Sequence, residues 1–190
     1  MINIKTNIAQ FINTEMKRIK NATNTATLST TNKLAQQGLT EARKTMREEY
    51  NIKLKDITTN SKGRRVTYYE RAKVLSEPAS IVGLEPGISL GKFGAKQRKE
   101  GVAVQVKKGG APKVIKHAFG PKIPRLGKGV FTRQNPKDST VSKRLPIFRL
   151  YGPGAAVMMN NRKVFARVKA FVRAKYAIIL EQEMKYRLGK

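Results

Sequence analysis

The 190-residue sequence contains no cysteine, no tryptophan and only one histidine, His117. Without cysteine the chain cannot form disulfide bonds or thiolate metal sites, and it has no Cys/His cluster for zinc. Long apolar runs are also missing, since the longest near the C-terminal end, residues 176–180, is far too short to cross a bilayer. Residues 1–10 lack the charged-then-apolar pattern of a signal peptide. These absences predict a soluble protein.

Acidic residues are scarce: the chain has 12 Asp and Glu but 40 Lys and Arg, which gives a formal net charge of +28. So much like charge repels itself in a compact fold, so we expect a partner of opposite sign. Nucleic acid, an acidic protein surface and an anionic membrane all meet that description. Between residues 101 and 180 the only acidic residue is Asp138, so the positive charge is concentrated in the second half of the chain.

No group of residues predicts catalysis. His117 stands alone in a predicted strand, where a histidine is ordinarily a packed or surface residue, and the carboxylates are too scattered for a paired acid/base or metal site. The glycine-containing string at residues 91–96 lacks the Gly-Lys-Ser/Thr ending of a phosphate loop. The Gly-Pro-Gly at 152–154 is better explained as a strand-to-helix turn than as an anion site. We therefore predict a protein that is not an enzyme, with no cofactor and no metal.

Apolar residues at steps of three and four predict a long N-terminal helix over residues 7–50. Its weak points are the Thr-, Ser- and Asn-rich stretch 23–32 and Gly38, so the helix is expected either whole or in two pieces. Residues 51–57 suggest a short second helix, and residues 60–65 a loop. The helical period returns after residue 154 and predicts a C-terminal helix over 161–188.

Between the helices, short runs rich in β-branched and aromatic residues alternate with Gly and Pro. Val102, Val104 and Val106 alternate as in a half-buried strand, and residues 107–110 resemble a hairpin turn. Residues 91–101 and 134–143 are expected as exposed loops. The predicted fold is α+β in one structural domain: a helical segment 1–58, an antiparallel sheet 59–152 with basic loops, and a C-terminal helix 153–190. The predicted strands cover residues 66–69, 79–83, 88–93, 102–106, 114–119, 130–133 and 145–150.

Basic residues in the predicted loops and turns are the remaining functional signal. Phosphate contacts need only positive charge within reach, and they carry no sequence specificity. The chain lacks the aromatic platform of a single-strand reader and any helix-turn-helix or zinc module. Contact with a DNA backbone or with an acidic protein is therefore the expectation. The candidate contact residues are Lys62, Arg64, Arg65, Lys96, Arg98, Lys99, Lys107, Lys108, Lys143 and Arg144.

Three segments form a recognisable series: Ala118-Phe119, then Gly129-Val130-Phe131-Thr132-Arg133, then Leu145-Pro146-Ile147-Phe148-Arg149-Leu150-Tyr151-Gly152-Pro153. They resemble the C-terminal half of the prophage minor tail protein Z family of phage tail-completion proteins. In that family an Ala-Phe strand leads through a Gly-Val-Phe-x-Arg strand to a Leu-Pro-Ile-x-x-Leu-Tyr-Gly-Pro segment, which opens the final helix. The chain departs from many relatives at residues 154–158 and 117–120, which affects packing details. Leu145, Ile147, Leu150 and Tyr151 are expected in the core, with Pro146 and Pro153 fixing turns. The matching residues are Ala118, Phe119, Val130, Phe131, Leu145, Pro146, Ile147, Leu150, Tyr151, Gly152 and Pro153.

The resemblance implies a structural virion protein of the phage neck, assembled in the host cytoplasm. It implies a homo-oligomeric ring, a hexamer, that joins the tail tube and tail terminator to the head connector. Double-stranded DNA passing through such a ring would be contacted non-specifically, and no membrane is involved. Basicity by itself leaves one alternative open, a cellular non-specific nucleic-acid-binding protein of ribosomal or chromatin-like type.

Overall fold

The computed structural model describes residues 4–60, 62–84, 86–120, 122–123, 127–133 and 146–189, and the side chains of these from residue 10 onward except those of 122–123 and 127–128. Within these residues four α-helices are present: α1 (Ile4–Glu49), α2 (Leu54–Thr58), α3 (Ala155–Met159) and α4 (Arg162–Leu188). The predicted α+β class, with a long helix at each end and antiparallel sheets between, is confirmed. Over these ranges no helix combines the length and apolarity that crossing a membrane requires.

Helix α1 is continuous, so the alternative with a break in residues 23–32 or at Gly38 is wrong. Four of the five threonines of the weak stretch are accommodated because their hydroxyl groups donate hydrogen bonds to the carbonyl four residues earlier, whereas the buried Thr30 hydroxyl has no hydrogen-bond partner among the described residues. Thr23, Thr27 and Thr31 make this bond at 2.9 Å, and Thr25 makes it at 2.7 Å. Their polar atoms are thus satisfied within the helix, and poor intrinsic propensity is overridden.

Ten short strands form four small sheets within the described ranges. β1 pairs with β2, β4 lies between β3 and β5, β9 lies between β10 and β6, and β7 pairs with β8. Neighbours in the last three sheets run antiparallel. The strands are β1 (Thr67–Glu70), β2 (Ser80–Gly83), β3 (Lys96–Arg98), β4 (Gly101–Val104), β5 (Lys113–Lys116), β6 (Ala118–Phe119), β7 (Lys122–Ile123), β8 (Gly127–Lys128), β9 (Val130–Thr132) and β10 (Phe148–Leu150).

Three strand expectations need correction. Residues 88–93 contain a 3₁₀ helix at Leu90–Lys92 in place of a strand, because Leu90 and Phe93, three residues apart, both turn into the core. Residues 91–101 are not only a loop, since they include edge strand β3. The strand expected at 114–119 is broken by His117, whose φ of 58° turns the chain from β5 into β6, a strand of another sheet. The loop expected at 134–143 lies outside the described residues.

The chain divides into two compact units that are not contiguous in sequence. A helical unit comprises Met1–Leu39, Tyr69–Ile81 and Lys169–Lys190, and a β unit comprises Thr40–Tyr68 and Val82–Val168. In the helical unit, the side chain of Asn32 binds both backbone groups of Ala72: its Nδ2 donates to the carbonyl at 3.0 Å and its Oδ1 accepts from the amide at 2.9 Å. This pair of bonds fixes the 69–81 segment to α1.

The hydrophobic core lies in the β unit and surrounds Phe93, which is fully buried. α1 contributes Met46, β4 contributes Val102, and the segment before α4 contributes Met158, all with no exposed surface. The core therefore holds the last turns of α1, the start of α4 and the middle strand of the β3–β4–β5 sheet together. Further members are Tyr50, Ile52, Ile57, Ile88, Leu90, Val104, Ala118, Val130 and Val164.

Candidate nucleic-acid interface

The strand register of the β3–β4–β5 sheet determines which side chains face outward. Lys96 is opposite Ala103, which is opposite Val114; Arg98 is opposite Gly101, which is opposite Lys116. Val102 and Val104 point the other way and are buried in the core. Because side chains alternate along a strand, the six residues of these two rows lie on the opposite face, which looks away from the core. We call this the basic sheet face: Lys96, Arg98, Gly101, Ala103, Val114 and Lys116.

Small residues in the middle strand leave a groove between the cations of the basic sheet face. Gly101 and Ala103 form its floor, while Lys96 and Arg98 rise from β3 and Lys116 rises from β5. Gly101 has a φ of 153°, and a Cβ atom there would collide with the carbonyl oxygen of Ile115. Neighbouring strands are about 4.8 Å apart, so the backbones of β3 and β5 lie about 10 Å apart on the two sides of β4.

A cavity of about 440 Å³ lies at one end of this groove. Its lining includes Arg98 and Lys99 from the β3–β4 turn, Ala103 from the floor, and Pro112 and Val114 from the far side. Glu100 is the one carboxylate in the lining. The cavity is open and mixed in character, so it is suited to a charged backbone passing across it more than to an enclosed small molecule.

The charges of the basic sheet face have no carboxylate partner within the described ranges. Seven carboxylates of the described chain do form ion pairs, and four of them belong to the β unit. Arg167 of α4 binds both Glu41 at 2.9 Å and Glu48 at 2.5 Å on α1. Glu100 lies beside Arg98 and Lys99 in the lining of the 440 Å³ cavity and reduces the positive charge at that end of the basic sheet face.

The candidate contacts in the 60–65 loop occupy a different place. The Asn60 side chain organises this loop, since its Oδ1 accepts the backbone N–H groups of Lys62 at 3.0 Å and Arg64 at 2.9 Å. Lys62, Arg64 and Arg65 are all exposed. Burial, and secondarily the positive charge of Arg65, lowers the pKa of Arg43, whose guanidinium donates to the Thr67 hydroxyl at 2.8 Å and to its carbonyl at 2.5 Å. Arg65 therefore adds to a local excess of positive charge.

Lys107 and Lys108 lie at the other end of the β4–β5 hairpin, beside the C-terminal end of α1. The Lys108 amide donates to the Glu49 carbonyl at 3.0 Å, and Lys107 forms a β-bridge with Tyr50. Cations near a helix C-terminus interact favourably with its dipole. These two residues accordingly have a structural explanation, and the structure does not bring them together with Lys96, Arg98 and Lys99. Lys143 and Arg144 lie outside the described residues.

Lys116 belongs to the basic sheet face but was not among the candidate contact residues predicted from the sequence. It stands in the row Arg98–Gly101–Lys116, so it completes the second wall of the basic sheet face. Because side chains alternate along a strand, the sequence places Val114 and Lys116 on the same face of β5. Only the register of the strands shows that this is also the face that carries Lys96 and Arg98. A single sequence contains no direct signal for that register.

The segments that carry the family resemblance meet in one sheet, in the order β10–β9–β6. Val130 and Phe131 are buried, and the Phe131 ring lies 6.3 Å from that of Phe119 between centroids. Arg149 lies over Phe131 at 5.1 Å, and Arg133 lies over Phe119 at 5.6 Å. The motif therefore builds a compact aromatic layer with guanidinium groups against its rings.

The predicted core role of the Leu145–Tyr151 residues holds only in part. Leu150 packs against the core, and Ile147 is half-buried. Tyr151 is 59 % exposed, so its assignment to the core is wrong. The backbone of Tyr151 forms a β-bridge with Ser89, while its ring lines a second cavity. The backbone is therefore paired just after β10 although the ring remains exposed. Leu145 lies outside the described residues.

The turn that follows β10 fits closely against the core. The Gly152 amide donates to the Ile88 carbonyl at 2.7 Å, and a Cβ at Gly152 would lie 2.9 Å from the Phe93 ring. Only glycine allows that approach. Pro153 then leads into α3, which begins after Gly154. The Gly-Pro-Gly string is thus a strand-to-helix turn, as predicted.

Comparison of the chain with family models, with curated proteins and with solved structures gave no match. In the part of the chain that the structure describes, no three His, Cys, Asp or Glu residues are grouped as metal ligands would be. The function must therefore be argued from the surfaces themselves.

Proposed function

We propose that this protein is a non-enzymatic structural component of a tailed-phage neck, of the minor tail protein Z type, which contacts DNA without reading its sequence. The observation that carries the DNA contact is the basic sheet face, where three cations flank a floor of Gly101 and Ala103 and have no described carboxylate partner. Such a surface suits phosphates, which need only positive charge within reach and carry no sequence information.

The phage assignment is supported by the resemblance carried by three segments between residues 118 and 153, and the described parts of these segments contribute β6, β9 and β10 to one sheet. Assembly with further subunits or neighbours is supported by α1 in the helical unit. There the apolar side chains of Phe11, Ile12, Met16 and Ile19 remain between 49 % and 67 % exposed. Exposed apolar patches of this kind mark interaction surfaces. A hexameric ring joining the tail tube and tail terminator to the head connector, located in the virion, is the proposed arrangement.

Salt-dependent DNA binding tests the proposed contact. The variant with Lys96→Ser, Arg98→Ser and Lys116→Ser should bind a random-sequence duplex with a shallower salt dependence. Each lost phosphate contact lowers the slope of log K against log[salt] by about 0.9, so three contacts lower it by about 2.7. Fluorescence anisotropy over a series of salt concentrations measures both slopes.

The matched control removes the same three charges from α4, as Lys169→Ser, Arg173→Ser and Lys175→Ser, all of them exposed. Equal loss of slope in the two variants would show that binding depends on net charge alone and would contradict the basic sheet face. Assembly is tested separately by electron microscopy of purified tails and virions. A protein that is absent from these particles and sediments with ribosomes would instead be the cellular nucleic-acid-binding alternative.

A further inference from the structure

The N-terminal part of α1 is not covered by the rest of the helical unit. Of the sixteen residues 10–25, fourteen are exposed and two are half-buried. The last turns of α4 contact α1 further along, where Lys33 pairs with Glu183, and the first fully buried residue of α1 is Ala26. The described residues therefore leave about four turns of α1 uncovered.

One side of this uncovered stretch is apolar. We call it the arm face: Phe11, Ile12, Met16 and Ile19, which are between 49 % and 67 % exposed. Ile12, Met16 and Ile19 are four and three residues apart, which places them on one side of the helix. The buried Ala26 follows Ile19 by seven residues, or about two turns. The arm face is thus continuous with the face that α1 buries inside the helical unit.

Positive charge borders the arm face. Lys20 follows Met16 by four residues, so it lies beside Met16 on the helix. Arg18 pairs with Glu15 at 3.3 Å, whereas no described carboxylate pairs with Lys17 or Lys20. The nine residues before this stretch contain one lysine and no Asp or Glu. A surface that fits the arm face must therefore combine apolar side chains with a carboxylate.

The turn between β1 and β2, in the same helical unit, has this combination. Val74 and Leu75 are 52 % and 54 % exposed, and Glu77 is exposed as well. One oxygen of Glu77 accepts the Lys73 amide at 3.1 Å, so the second oxygen is not used by that bond. Over residues 69–81, all of them described, two carboxylates balance two cations in a chain of net charge +28. We call Val74, Leu75 and Glu77 the turn surface.

The arm face and the turn surface are too far apart to meet within one chain. Asn32 holds Ala72 against α1 through two hydrogen bonds, and sixteen residues of continuous helix separate Asn32 from Met16. At a rise of ~1.5 Å per residue this separation is about 24 Å. Leu75 is three residues beyond Ala72 and reaches at most about 10 Å from it. An arm face can therefore meet a turn surface only on another copy.

We propose that the arm face of one copy packs against the turn surface of a second copy, which places Lys20 beside Glu77. Pairing of two arm faces is disfavoured, because it would bring two cationic borders together. Since the two surfaces differ, the contact is head-to-tail and repeats from copy to copy, as in a ring. A standard interface takes ~20–30 residues from each side, so this contact is small, and each copy makes it twice, once with each surface. The inference rests on the proposed function only for closure of the ring.

Disulfide cross-linking of the full chain tests the contact, and the absence of native cysteine makes each introduced thiol unique. Met16→Cys and Leu75→Cys are prepared as separate chains, mixed, and oxidised with oxidised glutathione. The mixture should give a covalent dimer on non-reducing gels, because a disulfide requires Cα atoms within about 7 Å. Neither variant alone should give it. Val157→Cys, at a position 55 % exposed in the β unit, replaces Leu75→Cys in the matched control and should give no dimer above random collision.

Charge variants test the proposed position of Lys20. In the Met16→Cys chain, Lys20→Glu should slow formation of the mixed dimer about tenfold, because it brings like charges together. Lys17→Glu is the matched control, since Lys17 lies ~100° around the helix from Met16, and it should leave the rate unchanged. In the Leu75→Cys chain, Glu77→Gln keeps an acceptor for the turn amide and should slow the rate as Lys20→Gln does.

The outcomes distinguish failure of this contact from failure of the proposed function. A covalent dimer from Met16→Cys alone would overturn the inference in favour of pairing between two arms. Equal yields with Val157→Cys and Leu75→Cys, or equal rates for Lys20→Glu and Lys17→Glu, would overturn it in favour of non-specific association. Absence of the mixed dimer would refute the contact, and a native oligomer in analytical ultracentrifugation would then leave the proposed ring standing. The mixed dimer in a protein that is absent from tails and virions would support the contact and overturn the proposed function.

Discussion

The substitution Glu183→Gln in α4 tests how the helical unit holds a buried charge. The Glu183 side chain is only 7 % exposed, and its carboxylate is bound by Lys33 of α1 and by Arg187 at 3.2 Å. The hydrogen bond from Lys33, the largest cause, together with those of Ser29 and the nearby charges, lowers the pKa of Glu183 below its ordinary value. The carboxylate therefore stabilises the fold in its ionised form.

The expected cost follows from these contacts. Breaking a fully buried ion pair by removing one partner costs about 3–5 kcal/mol. Lys33 is 56 % exposed, so solvent screens part of its interaction, and a hydrogen bond to a charged group contributes about 1.5–3 kcal/mol. We expect Glu183→Gln to lower the free energy of unfolding by about 2 kcal/mol near neutral pH, measured by urea denaturation followed by circular dichroism.

The direction in which pH changes the stabilisation by Glu183 follows from its lowered pKa. A lowered pKa means that the unfolded state binds the proton more readily, so the stabilisation is full above the ordinary value of 4.5 and is lost as the pH falls through the folded pKa. The difference between wild type and Glu183→Gln should therefore shrink as the pH is lowered below 4.5. Glu181→Gln is the control, since Glu181 is exposed and pairs only with Lys185. Equal effects of the two substitutions, or a difference unchanged at low pH, would refute the reasoning.

Two further substitutions test backbone positions. Gly101→Ala should destabilise by about 1–3 kcal/mol, because it forces an unfavourable φ and a collision with the facing β5 carbonyl; thermal unfolding should show no such loss for Gly109→Ala, which meets nothing within 4 Å. Asn32→Ala removes both hydrogen bonds to Ala72 and should cost about 1–3 kcal/mol in denaturant unfolding. Asn24→Ala, exposed on the same helix, should cost nothing or stabilise slightly, and a loss as large as that of Asn32→Ala would contradict the role of the two bonds.

Local patterns predicted the elements whose residues alternate or recur on a regular period. The helix expected at 161–188 is α4, and the valine alternation at 102–106 correctly marked β4. The hairpin between β4 and β5 also followed from its turn residues. In each case the period is imposed by burial of one face, which the sequence records directly.

Elements whose structure depends on a distant partner were not predictable. β3 reads Lys-Gln-Arg, with no apolar alternation, and exists because β4 offers it a row of backbone hydrogen-bonding groups. Lys96, Arg98 and Lys99 were therefore predicted as candidate contacts without the strand that orders the first two of them. Lys116 lies beside Lys96 and Arg98 only because of the register of β4 and β5. The positive φ of His117, which follows β5, could not be predicted either, because non-glycine residues adopt it in only a few per cent of cases even though histidine is enriched there.

The contact between the β4–β5 turn and the end of α1 has a consequence for the order of folding. The Asn51 amide donates to the Val106 carbonyl at 2.9 Å, and the Lys108 amide donates to the Glu49 carbonyl at 3.0 Å. The last carbonyl of the helix is thus satisfied by a turn that leaves the ribosome much later than the helix itself. During synthesis the Glu49 carbonyl therefore lacks this partner, and is left to water, until residue 108 has left the ribosome. Slow amide exchange at Lys108 would consequently report on the completion of the helix as well as of the hairpin.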